Sequence, residues 1–337
     1  SHAFMNLRVV MTEAQGVLLR QISWNLRPQS HQQQQRLQIY RRLLTIVHEE
    51  IDPQATIHAY GSIAQTVSTC SSDMDLCVLL DGGDSSDSGQ IVAIRAIRNA
   101  INRRCGLRSG LFAVTGARVP IVTFRGDPFV PPFDIALQFA GVRNSALIRA
   151  YVDAHRTLVL PLLRVINYWG RDVGIKNSVA GGFSSYSLAL MLLHHLVASS
   201  MVTWIDPAGS GFDTNPPAAF EAWPLRDEPD PDTIPPEPLA RALHGFWVYF
   251  SHWDATTGVV HLQRQSAVLT KAAKGWGAHA FAIEDPLEPT FNPVHRLTVG
   301  HWERARGEFQ SAAARFGQDG GSGLLSQLLL LSQKKHS

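Results

Sequence analysis

A Gly61-Ser62 pair closes the strand-like run Thr56-Ile57-His58-Ala59-Tyr60, and Asp73-Met74-Asp75 opens a second such run ending at Leu80. A third aspartate, Asp134, lies within Phe133-Asp134-Ile135, and this constellation limits the folds open to the chain more than any other feature. Alternate residues of a strand share a face, so Asp73 and Asp75 point the same way. Two carboxylates side by side repel unless a cation neutralises them. Hard oxygen donors beside substrate phosphates suit Mg²⁺, with Mn²⁺ as a substitute. Asp134, among aromatic and β-branched neighbours, joins them only if its strand belongs to the same sheet. An Asp-x-Asp alone usually marks a solvated face or a turn; the Gly-Ser turn ahead of it and the distal Asp distinguish this one. The reading is a sheet carrying Asp73, Asp75 and Asp134 as catalytic residues and metal ligands for two-metal phosphoryl transfer.

Length and composition agree with an enzyme. The 337 residues, 45% hydrophobic, suffice for two cores of ordinary domain size. A net charge of +2 creates no whole-molecule field for nucleic acid, so any RNA contact has to come from local patches. Arg118, Arg125, Arg143 and Arg149 are candidates for such contacts, each equally explicable as a surface residue. Cys70, Cys77 and Cys105 show no zinc or redox spacing and read as buried thiols of a reducing compartment. No apolar run reaches the 18 residues of a membrane span, so no membrane partner is expected. The chain opens on Ser1 rather than Met, which leaves room for a removed targeting segment.

The hydrophobic pattern predicts an α+β protein of two domains. Residues 1–34 read as an N-terminal helical segment expected to pack on the second domain, 35–156 as the mixed-sheet catalytic domain with flanking helices, and 157–337 as a mostly helical domain. Within the first domain, Leu37, Tyr40, Leu43, Leu44 and Val47 have helical spacing, as do Ile91, Ile94, Ile97 and Ile101. Ala117 to Phe124 and Phe133 to Phe139 read as further strands. Within the second, helices are expected over 158–173, 186–199, 239–253 and 299–316, with a Pro-, Asp- and Glu-rich loop over 206–238. Leu324 to Leu331 reads as a terminal helix.

The Gly-Ser turn and three aspartates resemble the nucleotidyltransferase superfamily that includes DNA polymerase β. Gly182-Phe183-Ser184-Ser185-Tyr186-Ser187-Leu188, Gly245-Phe246-Trp247-Val248-Tyr249-Phe250 and Ile283-Glu284-Asp285-Pro286-Leu287-Glu288 with Asn292 narrow the likeness. They resemble the noncanonical poly(A) polymerase and terminal uridylyltransferase family, over roughly residues 35 to 316. The compact layout is most similar to the minimal trypanosomatid uridylyltransferases associated with mitochondrial RNA editing. The resemblance implies a poly(A)-polymerase-like helical domain and an active-site cleft between the domains. It also implies UTP as substrate, held at Gly61, Ser62, Asn144, Arg171, Ser185, Tyr186, Asp285 and Glu288. In such enzymes Ser62 and Ser185 would touch the triphosphate, Asn144 the ribose, and Tyr186 would stack on the base. Asp285 and Glu288 would accept from uracil N3–H, the latter two through a held water. Without the likeness, Asn144 reads equally as a cap, Tyr186 as a core residue and Asp285-Pro286 as a turn start.

Three positions depart from the family pattern. Asn167 and Arg171 flank Trp169 where lysines are usual, Phe291 replaces a histidine of some cytoplasmic relatives, and His295 stands where arginine is frequent. The expectation is Mg²⁺-dependent transfer of UMP from UTP to the 3′-hydroxyl of RNA, releasing pyrophosphate. An RNA-editing protein complex as partner and a mitochondrial location follow only from the subgroup resemblance. The alternatives are a poly(A) polymerase using ATP and, from another class, an inactive RNA-binding scaffold; transfer to a small molecule is a third.

Overall fold

The computed structural model describes residues 2–82, 86–107, 109–116, 119–125, 127, 130–178, 180–209, 211–212, 223–224, 227–262, 269–318 and 322–334, with backbone alone at 2–12, 317–318 and 322. In chain order the first elements are α1 (His2–Leu26), α2 (Ser30–Glu50), β1 (Thr56–Tyr60), α3 (Gly61–Ala64), β2 (Met74–Leu79) and α4 (Asp87–Cys105). There follow β3 (Leu111–Val114), β4 (Ile121–Phe124), β5 (Phe133–Ala136), α5 (Ala140–Ala154), α6 (Arg156–Asp172) and α7 (Ser185–Ala198). The remainder are α8 (Pro236–Ser251), α9 (Lys271–Lys274), α10 (Val299–Gln318) and α11 (Ser322–Gln333). Two compact units result: Arg27–Arg149 with Gly211–Arg226, and Ser1–Leu26 with Ala150–Ser210 and Asp227–Ser337. The boundary thus falls within α5 rather than after residue 156, and helix runs through it, so no change of pattern marks it in the sequence.

In the sheet unit the strands run in the order β1-β2-β5-β4-β3, with β2 and β5 parallel and all other neighbours antiparallel. Met74, Leu76 and Val78 of β2 and Phe133 and Ile135 of β5 enter a core with Tyr40, Leu43 and Val47 of α2 and Ile94, Ile97 and Ile101 of α4. The isoleucine spacing of α4 therefore does what its period implies, placing one face against the sheet. Asp75 and Asp134, in alternation with those core residues, are only half-buried. A one-residue slip of either strand would send its aspartate into the hydrocarbon core, which fixes the register. Trp223, within the Pro-rich stretch 206–238, rests on Tyr40 with ring centroids 4.9 Å apart.

Some elements differ from the sequence expectation. β5 stops at Ala136 and the chain enters α5 at Ala140, so Phe139 belongs to a turn rather than a strand. β4 starts at Ile121, while residues 117 and 118 lie outside the described ones. β3 is a further edge strand without a clear pattern, exposing Phe112 and Val114. Only Cys77 of the three cysteines is buried, Cys70 and Cys105 being half-exposed.

The helical unit has an aromatic core. Trp169 of α6 packs on Trp247 of α8 and Phe309 of α10 at 5.5 and 5.3 Å, and Phe246 and Phe250 extend the cluster along α8. Pairs of this kind add about 0.5–1.5 kcal/mol each beyond the area they bury. α1 packs against α8, α11 and α6 of this unit. Arg164, 2% exposed, forms a forked pair with Glu228 at 2.8 and 2.6 Å, which pins the end of the acidic loop to α6. Among the described residues no helix is long and apolar enough to cross a membrane.

Candidate active site

The carboxylates come together through strand pairing. Asp75 is the direct partner of Asp134 in the parallel β2–β5 ladder, where adjacent strands lie about 4.8 Å apart. Tyr60 is the partner of Asp75 on the other side. Its hydroxyl is held protonated by burial and, secondarily, by the negative charges of Asp75 and Asp134. Asp73, immediately before β2, meets Asp134 through Arg125, whose Nη2 donates to Asp73 Oδ2 at 3.1 Å and Asp134 Oδ2 at 3.0 Å. Nη1 of the same guanidinium donates to the carbonyls of Phe124 and Phe133 at 2.7 and 3.2 Å.

Gly61 and Ser62 begin α3 directly after β1. Gly61 has φ +63°, and a Cβ there would stand 2.3 Å from Asp75 Oδ2, so both the turn and the carboxylate require glycine. The Gly61 amide donates to Ser145 Oγ at 2.7 Å, and that hydroxyl donates to Gly141 O at 2.7 Å. Ser145 thus ties the first turns of α5, and with them half-buried Asn144, to the Gly-Ser turn. Gly141 is needed as well, because its Cβ would lie 2.8 Å from the Tyr60 ring. The loop into Asp73 is fastened by Arg36 of α2, a buried side chain donating to Thr69 O at 2.9 Å and Ser72 O at 2.8 Å.

The donor set fits a divalent cation. It consists of carboxylate oxygens alone, Asp134 Oδ1 is buried without a hydrogen-bond partner, and a guanidinium already supplies positive charge between Asp73 and Asp134. As placed, however, no three His, Cys, Asp or Glu side chains among the described residues stand close enough together to hold an ion. The expected three-aspartate ligand set is therefore not preformed, since two of its members are turned to Arg125.

The residues expected at the nucleobase lie in the helical unit. Ser184 caps α7 and exchanges hydrogen bonds with Ser187, so both hydroxyls are engaged, while Ser185 between them is exposed. The preceding Gly-rich turn has a packing cause of its own: a Cβ on Gly182 would stand 2.7 Å from Ile175 O, and Gly181 has φ +83°. Those glycines therefore say nothing about Tyr186. Tyr186 instead is fixed by its hydroxyl, which donates to Asp285 Oδ2 at 3.1 Å. Asp285 Oδ1 accepts the amides of Leu287 and Glu288 at 2.9 and 3.1 Å. Asp285 is 2% exposed, and burial raises its pKa despite those bonds. Asp285, expected at the uracil edge, thus also closes the Asp-Pro turn and orients Tyr186. Glu288, on the same turn, is exposed.

Lys274 was not singled out by the sequence, and Asn292 only as part of a motif without a role of its own. Lys274 bonds Glu284 Oε2 at 2.7 Å and the Pro289 carbonyl, clamping the Asp285 turn from both ends, with Trp276 against its ammonium at 4.8 Å. Lysine is so scarce in this chain that the 271/274 pair was a usable signal. Asn292 Oδ1 accepts from Ile283 and Val294, and its Nδ2 donates to Phe281 O, all buried.

The departures are placed too. Asn167 Nδ2 donates back to Leu163 O of its own helix at 2.9 Å, and Arg171 is exposed in the last turn of α6. His295 bonds Asn292 O and packs on Phe291 at 5.7 Å. Of the four arginines considered for RNA, Arg149 is buried at 5% exposure and so is no surface contact, Arg143 is half-buried and Arg118 lies outside the described residues.

A family profile described as "Poly(A) RNA polymerase, mitochondrial-like, central palm domain" matches residues 18–153. Terminal uridylyltransferase 4 of Trypanosoma brucei brucei is 30% identical over 312 residues, covering 79% of this chain and 88% of that protein. Poly(A) RNA polymerase GLD2-A of Xenopus laevis is 28% identical over 277 residues; the match takes in 78% of this chain and 53% of that longer protein. Among solved structures, terminal uridylyl transferase 4 from Trypanosoma brucei with bound UPU superposes with a TM-score of 0.77 over 90% of this chain and 98% of that one, at 23% identity. The mixed five-stranded sheet with flanking helices is the fold these proteins share.

Proposed function

The chain belongs to the noncanonical poly(A) polymerase and terminal uridylyltransferase family of nucleotidyltransferases, and we propose that it transfers UMP from UTP to the 3′-hydroxyl of RNA, releasing pyrophosphate. The observation that carries nucleotidyl transfer is the parallel register that sets Asp75 beside Asp134, next to a Gly-Ser turn sealed onto α5. The choice of UTP is supported by the 30% identical relative that bears that activity in its name.

Asp73, Asp75 and Asp134 would hold Mg²⁺, which when bound stabilises the attacking and leaving oxygens of an in-line displacement. The residues of the chain do the rest by positioning. Gly61 lets the backbone approach the phosphates, and Ser62 and Ser185 offer hydroxyl donors to them. Arg171 adds charge, and Asn144 addresses the ribose. Tyr186, its ring set by Asp285, stacks on the base, and exposed Glu288 accepts from uracil N3–H. Adenine N1 and cytosine N3 are acceptors and would leave that carboxylate unpaired, a mismatch of about 1–3 kcal/mol.

An RNA oligonucleotide incubated with Mg²⁺ and each ribonucleotide in turn tests activity and base choice together. Extension is expected chiefly with UTP, and Asp75→Asn or Asp134→Asn is expected to lower it by about three orders of magnitude while the protein stays folded. Preferential growth with ATP would favour the second reading, a poly(A) polymerase, which the poly(A) polymerase matches support. Mitochondrial residence and work alongside RNA-editing proteins belong to this proposal, resting on the subgroup likeness and on the mitochondrial-like profile.

A further inference from the structure

Arg125 leaves the end of β4 and places its guanidinium on four acceptors: the carbonyls of Phe124 and Phe133 through Nη1, and Asp73 Oδ2 and Asp134 Oδ2 through Nη2. The two carbonyl bonds fix the fork, so its charge is delivered to one place rather than swept over a surface. That place is shared by two of the three carboxylates assigned to the metal. Nη2, 3.0–3.1 Å from both oxygens, engages lone pairs that these carboxylates would need in order to hold a cation. Asp134 Oδ1, buried and without a hydrogen-bond partner, remains as the oxygen the arginine does not satisfy.

We propose that Arg125 is a counter-charge built into the carboxylate centre: it holds Asp73 and Asp134 in position and competes with the divalent ion for them, so that ion loading requires Nη2 to let go. The idea rests on the three aspartates being the metal site. Arg125 is a positioning residue, and it remains tethered through Nη1 when displaced. The competing explanation is an ordinary exposed ion pair, whose loss would not change ion affinity.

The test is Mn²⁺ binding to the full chain, read from the electron paramagnetic resonance signal of free Mn²⁺ without nucleotide or RNA. Arg125→Gln is expected to bind Mn²⁺ roughly fivefold more tightly or better than the native chain, the loss of two competing ion pairs. Arg125→Lys, which keeps the charge without the fork, is expected to fall between them and serves if Arg125→Gln does not fold. Asp134→Asn is expected to weaken binding in either background, which locates the ion. Unchanged or weaker Mn²⁺ affinity in Arg125→Gln, or no binding by any variant, overturns the proposal. Extension with ATP instead of UTP would sink the uridylyl reading and leave this titration intact, whereas normal UTP extension with equal Mn²⁺ affinities would sink only the role of Arg125.

Discussion

At the scale of single residues, the site is governed by atoms that leave no room for alternatives. Gly61→Ala would put a methyl 2.3 Å from Asp75 Oδ2 at φ +63°. The left-handed conformation alone costs about 1–2 kcal/mol for a residue with a Cβ. Displacing the carboxylate matters more: turnover is expected to drop about 100-fold, with a folded protein by circular dichroism. A variant with near-native turnover would show that Asp75 does not need its present position. Tyr186→Phe separates the ring from the hydroxyl. It keeps the stacking surface but takes one donor from buried Asp285, a change of about 1–3 kcal/mol. Nucleotide KM is therefore expected to rise several-fold with a smaller change in kcat, and Tyr186→Ala to be worse in both. Asp73, Asp75 and Asp134 were legible as a candidate site because their places on strand-like runs let them share one face of a sheet. The bond from Tyr186 to Asp285 was not legible, since the letters of an Asp before Pro do not name a partner 99 residues away.

Elements show a similar division. The amphipathic helices α2, α4, α6, α8 and α10 follow from the apolar period of their residues, and α7 from an apolar run buried on every side. β3 and α5 do not, because one is a four-residue edge strand with exposed Phe112 and the other starts within a run that reads equally as strand. Contacts between helices are also invisible in the period. Gly16 of α1 lies so close to α8 that a Cβ would stand 1.9 Å from Pro236 O. In an isolated helix Gly→Ala gains about 1 kcal/mol. Here the obstacle is backbone, which no rotamer can clear, so Gly16→Ala is expected to destabilise by about 2 kcal/mol or more in denaturant unfolding. A neutral or stabilising outcome would mean that α1 is not seated on α8 as described.

For the molecule as a whole, buried histidines set an acid limit. His194 bonds the His261 carbonyl through Nδ1 at 2.8 Å and Tyr249 Oη through Nε2 at 3.0 Å, an arrangement for a neutral ring that donates to the first and accepts from the second. Burial lowers the pKa of both His194 and His195 to about 4. Unfolded imidazoles take up protons near 6.5, ahead of the folded ones, so stability is full above that pH and lost as the pH falls toward 4. The melting temperature is expected to decline through this window, less steeply in His195→Gln, and a flat profile would contradict the burial. By itself the sequence determined the α+β class and the family, and marked the three aspartates as candidates, because strand alternation, helical period and short motifs are local. The tertiary structure decided what those residues do with their hydrogen bonds. Asp285 spends its carboxylate on Tyr186 and a turn, Arg149 is buried, and Arg125 stands between Asp73 and Asp134. Each of these is a contact between residues far apart in the chain, set by strand register and packing, and no local pattern encodes it.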